Sequence, residues 1–203
     1  IDHYVVENEK TARHFIKKIS SKKSQPGLHI NLLNKFTEPS ELDSFLDPCA
    51  EGFHVGIISE AGCPGVADPG ADLVRIAHKK GIQVVPMVGP SSILLALMAS
   101  GLNGQSFAFN GYLPIDNGER RTSIKKFEKL SREHQQSQIF IETPYRNDKL
   151  LVELLKSLSP HTLVCIACDI TLPTEFIATK TVEEWKNSPL DLHKRPTIFI
   201  VQG

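Results

Sequence analysis

Between the apolar run Val55-Gly56-Ile57-Ile58 and a helical pattern lies Ser59-Glu60-Ala61-Gly62-Cys63-Pro64-Gly65-Val66-Ala67-Asp68-Pro69-Gly70. Its glycines and prolines define a rigid turn that exposes backbone amides. Such amides beside the carboxylates of Glu60 and Asp68 suit a zwitterionic or cationic small ligand. Asp68 could equally be a helix cap before Pro69, and the two roles are compatible. A second bend, Val85-Pro86-Met87-Val88-Gly89-Pro90-Ser91-Ser92, follows the next apolar run and adds two hydroxyls and helix-end amides. Ligands of open α/β sheets bind outside the carboxyl ends of the strands. Two such bends at successive strand ends point to a ligand crevice.

Glu7 stands at the carboxyl end of the first apolar strand pattern. It is the candidate general base, or else a surface or helix-capping acid. Arg146 follows Glu142 by four residues, so it either holds a phosphate or carboxylate or pairs with Glu142. Asn117–His134 carries Arg120, Arg121, Lys125, Lys126, Lys129 and Arg132 against Glu119, Glu128 and Glu133. That segment could track an RNA backbone or be the solvated face of a helix. Without aromatic side chains interleaved on it, it would position phosphates and not read bases. Cys165 and Cys168, three apart in a strand, point to opposite faces and cannot converge on a metal. No other Cys/His pair has ligand spacing, and the eight histidines form no metal motif, so no metal is expected. All four cysteines read as free thiols of a reduced, cytoplasmic protein.

The elements that must position these residues follow a rhythm. Val5 and Val6 end a short strand, and Asn8 precedes a helix with Ala12, Phe15, Ile16 and Ile19 on one face. A strand is predicted at 28–33, then a helix around Leu42, Phe45 and Leu46. The strand Val55–Ile58 precedes a helix on Leu73, Val74, Ile76 and Ala77 that Gly81 stops. A strand at 82–85 follows, then a Ser91-capped helix over 93–100 that is apolar nearly all round and predicted buried. This alternation is that of a parallel sheet wrapped by helices. From Phe107 strands at 106–110 and 138–142 flank a helix built on Ile124, Phe127 and Leu130. A helix on Leu150, Leu151, Leu154, Leu155 and Leu158 leads to strands at 162–168, 174–178 and 197–201. Strands so closely spaced suggest an antiparallel or mixed sheet. The expected class is α/β, a mostly parallel sheet followed by a mixed one, with domains at 1–110 and 111–203 and a boundary near 111–114.

Composition excludes several classes. With 203 residues, 40% hydrophobic and 23% charged, the chain is not disordered, collagen-like or a disulfide scaffold. Its 23 Lys and Arg balance 23 Asp and Glu, so bulk charge does not announce a nucleic-acid binder. The longest apolar run, 93–99, falls short of the roughly 20 residues that cross a bilayer, and no membrane partner is expected. The opening Ile1-Asp2-His3-Tyr4 has no methionine, and the chain is expected to begin inside a longer protein.

The run 60–70, then 85–92, then Phe109-Asn110-Gly111-Tyr112-Leu113-Pro114, resembles the tetrapyrrole methylase superfamily. Within it the likeness is to the ribosomal small-subunit RNA methyltransferase I branch, which methylates a cytidine ribose hydroxyl. Glu142-Thr143-Pro144-Tyr145-Arg146 and Val6-Glu7-Asn8-Glu9-Lys10 fall where that branch has related segments. The resemblance spans essentially the whole chain. It implies two α/β domains with S-adenosylmethionine in the cleft between them, and a homodimer. It also implies donor contacts at Glu60, Ala61, Gly62, Val66, Asp68, Ser91 and Ser92. Pro196, Thr197 and Ile198 would lie beside the adenine, although they can equally be ordinary strand residues. Glu7 and Arg146 would be catalytic, with Asn110, Tyr112, Arg120 and Arg121 meeting the substrate, a structured RNA or ribosomal subunit.

The chain also departs from that family. Members begin with a strand and a small loop ahead of the segment equivalent to Ile1, so the first sheet is expected to show a gap or a borrowed element. Glu60 and Cys63 stand where the branch has aspartate and threonine. Asn8, Glu9 and Lys10 replace an acidic-threonine-arginine run, and Tyr145 replaces a histidine before Arg146. The donor motifs are better kept than the acceptor-side ones.

Methyl transfer from a sulfonium is an in-line displacement on an activated donor. The protein must hold the acceptor about 3 Å from the methyl group and exclude water, and it needs no nucleophile of its own. The expected function is methylation of a ribose hydroxyl of ribosomal RNA. Methylation of a tetrapyrrole or other small molecule is the alternative, as is a non-catalytic relative that binds the cofactor or RNA. A nicotinamide oxidoreductase is disfavoured, because neither loop has G-x-G-x-x-G order.

Overall fold

The computed structural model describes residues 1–60 and 62–203; Ala61, one of the expected donor contacts, lies outside the described residues. The chain divides into two compact units, Ile1–Pro90 and Ser91–Gly203.

In the first unit, strands β1 (His3–Val6), β2 (His29–Leu32) and β3 (Val55–Ile58) form a parallel sheet in the order β2-β1-β3. Parallel neighbours need long crossovers. Helix α1 (Glu9–Ile19) supplies the first, capped by Asn8, whose Oδ1 accepts from the N–H of Lys10 and Thr11 at 3.0 and 3.2 Å. The second runs through two 3-10 turns, Pro39–Glu41 and Ser44–Leu46, into α2 (Asp47–Ala50). Turns stand where one helix is expected, because Pro39 and Pro48 can sit only in the first turn of a helical run. Helix α3 (Gly70–Lys79) then lays Leu73 and Ala77 on a core with Val5, Leu33, Leu42, Phe45 and Leu46. Gly81, at φ +69°, ends it.

The strand expected at 82–85 does not form. Ile82 and Val84 pack on that core and Val85 is exposed, which is strand-like alternation. Among the described residues, however, the segment joins no sheet, and β3 is paired along β1 alone.

In the second unit, β4 (Phe107–Tyr112), β5 (Ser137–Ile141), β6 (Leu163–Cys168), β7 (Phe176–Thr181) and β8 (Thr197–Gln202) form a sheet in the order β4-β5-β8-β6-β7. Only β4 and β5 are parallel, joined by α5 (Asn117–His134). The other pairs are antiparallel, so the sheet is mixed. Helix α4 (Ser92–Ser100) covers one face, where Ala96 and Leu97 meet Ile139, Cys165, Ala167 and Ile200. The other face carries Ile124 of α5, Leu150 and Leu154 of α6 (Asn147–Ser157), and Val182 and Trp185 of α7 (Val182–Lys186). Alternation along β6 sends Cys165 into one layer and Cys168 into the other, both as free thiols. Burial pushes both thiols up from their ordinary range.

The compact units divide at Pro90, with α4 packed on the second sheet, whereas the sequence places a boundary near 111–114. One expectation is corrected: α4 is not buried all round, since Leu94 and Met98 are 50% and 79% exposed, one outward ridge of the helix.

Candidate functional site

Within the first unit, the register fixes which residues leave the sheet together. Val6 is level with Leu32 and with Ile58, so Glu7, Leu33 and Ser59 step off the same carboxyl edge. There the backbone N–H of Glu60 donates to Glu7 Oε1 at 3.0 Å, and the Thr11 hydroxyl donates to Glu60 Oε1. Glu7 is half-buried, and its second oxygen carries no hydrogen bond among the described residues. A cavity of about 560 Å³ opens beside it, walled by Lys10, Arg13 and Asn34 among others.

The glycine-rich turn is held by one carboxylate. Asp68 Oδ1 accepts from the N–H of Gly65 at 2.9 Å and of Gly70 at 2.7 Å. A Cβ at Gly70 would meet that oxygen at 2.9 Å, so the staple demands glycine there. Gly62 and Gly65 lie at φ +87° and +79°, the left-handed region that side chains resist. Asp68 therefore shapes the loop, while Pro69 occupies the cap position of α3. Val66 stands 45% exposed on the loop. Gly62, Val66 and Asp68 form no part of the wall of the 560 Å³ cavity.

The second unit gathers its own set at one end of the mixed sheet. Tyr112 is level with Ile141, Ile141 with Ile198, and Thr197 with Cys168. Tyr112, Glu142, Pro196 and Asp169 thus share an edge. Tyr112 is 56% exposed, but the Asn110 amide is spent inside the sheet on Gln138 Oε1 at 2.9 Å. Arg146 does pair with Glu142, Nη2 to Oε1 at 2.6 Å and Nε at 3.1 Å. The pair is half-open, with the Glu142 side chain 3% exposed and that of Arg146 34%. Of the adenine-side candidates, Ile198 sits in the core and Thr197 donates its hydroxyl to Arg195 O at 3.0 Å. Pro196 alone of the three is exposed. Ser91 occupies the cap position of α4 without a capping bond, and neither Ser91 nor Ser92 spends its hydroxyl among the described residues.

Arg120 leaves the substrate set. It is 3% exposed, and its guanidinium donates to Pro114 O, Ile115 O and Asn117 Oδ1 at 3.4, 3.2 and 2.5 Å. It holds the loop before α5 and faces no solvent. Arg121, Lys125 and Lys126 stay exposed on the same helix, the two lysines about one turn beyond Arg121. Two features escaped the sequence reading. One is the pair Arg195–Asp169 at 2.8 Å, whose guanidinium holds the Asp169 carboxyl below its usual range. The other is the cavity wall of Lys10 and Asn34, which two strands bring together and no local spacing announces. Among the described residues, no three His, Cys, Asp or Glu stand together as a metal site, and no helix is long and apolar enough to cross a membrane.

Residues 9–186 match the family described as Tetrapyrrole (Corrin/Porphyrin) Methylases. The Ribosomal RNA small subunit methyltransferase I of Vibrio cholerae is 30% identical over 174 residues, 84% of this chain and 59% of that protein. The enzyme of the same name from Escherichia coli O157:H7 is 31% identical over 174 residues, again 84% and 59%. The chain thus spans under two thirds of the length of these relatives. Among solved structures, the methyltransferase CobJ aligns over 100% of this chain and 95% of its own, with a TM-score of 0.59 at 18% identity. A uroporphyrin-III C-methyl transferase from Thermus thermophilus, complexed with S-adenyl homocysteine, aligns over 98% and 97%, with a TM-score of 0.51 at 14% identity. These structures share the fold. The ordered loops, the parallel sheet followed by a mixed one and the match over 178 of 203 residues (9 through 186) together place this chain in the tetrapyrrole methylase family.

Proposed function

We infer that this chain transfers a methyl group from S-adenosylmethionine to ribosomal RNA, at a ribose hydroxyl. The observation that carries the reading is Glu7: a carboxylate fixed through one oxygen by Glu60 N–H, with no hydrogen bond at the other among the described residues, in a chain 30% identical to a ribosomal RNA methyltransferase. The donor supplies a methyl group already activated for displacement. Its charged amino-acid end suits the glycine-rich turn of the first unit, where Gly62 and Gly65 lie in the left-handed region. In the second unit, Ser91 and Ser92 keep hydroxyls that are unspent among the described residues. Thr197 and Ile198 offer it no side chain, so Pro196 is the surviving adenine-side candidate.

Glu7 takes the proton of the acceptor hydroxyl at its free oxygen, worth about 10²–10⁴ in rate for a positioned base. Arg146, oriented by Glu142, keeps a solvent-facing side for a phosphate. Arg121, Lys125 and Lys126 track the RNA backbone. The same reading takes the protein as a cytoplasmic homodimer, and the four free thiols accord with a reducing compartment. The test is transfer of labelled methyl from S-adenosylmethionine to undermethylated small ribosomal subunits. Transfer to subunits and not to porphyrinogen precursors is expected; the reverse pattern, or donor binding with no transfer to RNA, overturns the reading.

A further inference from the structure

Two cations line the cavity beside Glu7, and one of them is unpaired among the described residues. Arg13 is committed: its Nε meets Glu9 Oε1 at 2.8 Å, and its Nη1 and Nη2 donate to Gln25 O and Leu28 O at 2.6 and 3.4 Å. Lys10 makes no ion pair or side-chain hydrogen bond among the described residues. Across the cavity, Asn34 is fixed through its oxygen, which accepts from Phe36 N–H at 2.9 Å. Its N–H donates to Thr37 Oγ1 at 3.0 Å. That leaves the two amide hydrogens of the Asn34 side chain, in the cavity wall, as donors unspent among the described residues.

The turn that fixes Asn34 also presents Phe36, 79% exposed, with the Lys35 ammonium 4.8 Å from its ring centre. A single exposed aromatic is ordinary on a protein surface. This one is held by the same hydrogen bond that orients a cavity donor, with a cation on one face and the other face open. An open cavity whose wall carries an ammonium unpaired among the described residues, an amide donor and a carboxylate, with an aromatic ring two residues along the chain from that amide, matches one nucleotide of a single strand. The ammonium meets the phosphate, the carboxylate and amide meet the ribose, and the ring stacks on the base.

We propose that the first unit carries the acceptor-nucleotide subsite, with Lys10 binding the phosphodiester, Asn34 the ribose edge and Phe36 the base. The identification of the ribose with the methylated one rests on the function inferred above; the RNA-binding role does not. Phe36 supplies the stacking surface that the basic face of α5 lacks, and every sequence contains a base that can stack. Selection of the nucleotide then comes from RNA shape, with Phe36 accepting a base already unpaired.

The experiment measures affinity of the full chain for a labelled single-stranded RNA of about ten nucleotides, over a salt series. Phe36→Ala is expected to weaken binding about tenfold with the salt slope unchanged, since stacking is sequence-tolerant and uncharged. Lys10→Ala is expected to weaken it several-fold and to lower the slope of log affinity against log salt by about 0.7, one phosphate contact. Lys10→Arg restores the slope. Lys79→Ala, at the far end of α3, serves as the surface control and changes neither value. Phe36 and Lys10 are exposed, so the variants fold, and an unaltered melting temperature verifies it. Wild-type affinity and slope in both variants overturn the proposal, even if methyl transfer to ribosomal subunits is intact. Loss of binding in both variants without any methyl transfer upholds the subsite and discards the methyltransferase reading alone.

Discussion

Glu60 donates its backbone N–H to Glu7 Oε1 at 3.0 Å, linking the carboxyl ends of β1 and β3 across 53 residues of sequence. The bond ties one oxygen of Glu7 to the loop after β3, and the other carries no hydrogen bond among the described residues. Glu7→Gln keeps an oxygen for Glu60 and discards the base. Single-turnover methyl transfer is expected to slow by about 10²–10⁴ with donor affinity unchanged by calorimetry. An equal loss in donor affinity would make Glu7 a scaffold residue.

Asp68 ties Gly65 and Gly70 through a single oxygen. Asp68→Ala strands two loop N–H groups, each worth about 1–3 kcal/mol when buried and unmet. Donor affinity is expected to fall about tenfold or more, with Asp68→Asn recovering most of it, because its amide oxygen accepts both bonds. Titration of the donor into both variants separates the loop-shaping role from a direct charge contact, for which Asn would fail as badly as Ala.

Arg120 and Arg121 are neighbours with opposite fates. Arg120→Ala removes three hydrogen bonds from a buried guanidinium and is expected to cost about 2–4 kcal/mol of stability, read in denaturant unfolding. Arg121→Ala leaves stability unchanged and lowers the salt dependence of RNA binding.

Asp169 is hydrogen-bonded by Arg195, and by Thr174 at 2.9 Å, which hold its carboxyl below the ordinary value near 3.9. A depressed folded-state pKa means stability present above about pH 4 and lost as pH falls through the folded value. Asp169→Asn is therefore expected to lower the melting temperature at pH 7 and to flatten its decline below about pH 4. An unchanged acid limb would show that the pair contributes nothing to acid sensitivity.

Cys165 and Cys168 are fully buried on opposite layers, while Cys49 and Cys63 are half-buried. A thiol reagent applied to the native protein is expected to label Cys49 and Cys63 and to spare the β6 pair until unfolding. Peptide mass spectrometry reads this directly.

What was legible in the sequence was what local spacing decides. Asn8 caps α1 as its side chain and position imply, and the three-residue gap in a strand correctly parted Cys165 from Cys168. What escaped depends on partners distant in the chain. The run 82–85 has strand alternation, but pairing needs a neighbour and none is made among the described residues. Leu94 and Met98 read as core because α4 is apolar all round, yet only one side of it meets the sheet. Arg120 and Arg121 look alike in sequence, and only the path of residues 114–117 buries one of them. Asn34 and Lys10 share a cavity because β1 and β2 are in register, a fact no motif contains.

In the proposed function, a carboxylate at the end of β1 serves methylation of a ribose in small-subunit RNA. Nucleoside analysis of undermethylated subunits after incubation with S-adenosylmethionine and this protein tests it most directly. One new ribose-methylated nucleoside is expected, strongly reduced with Glu7→Gln. A methyl group on a base, or RNA left unmodified while the donor binds, would contradict it.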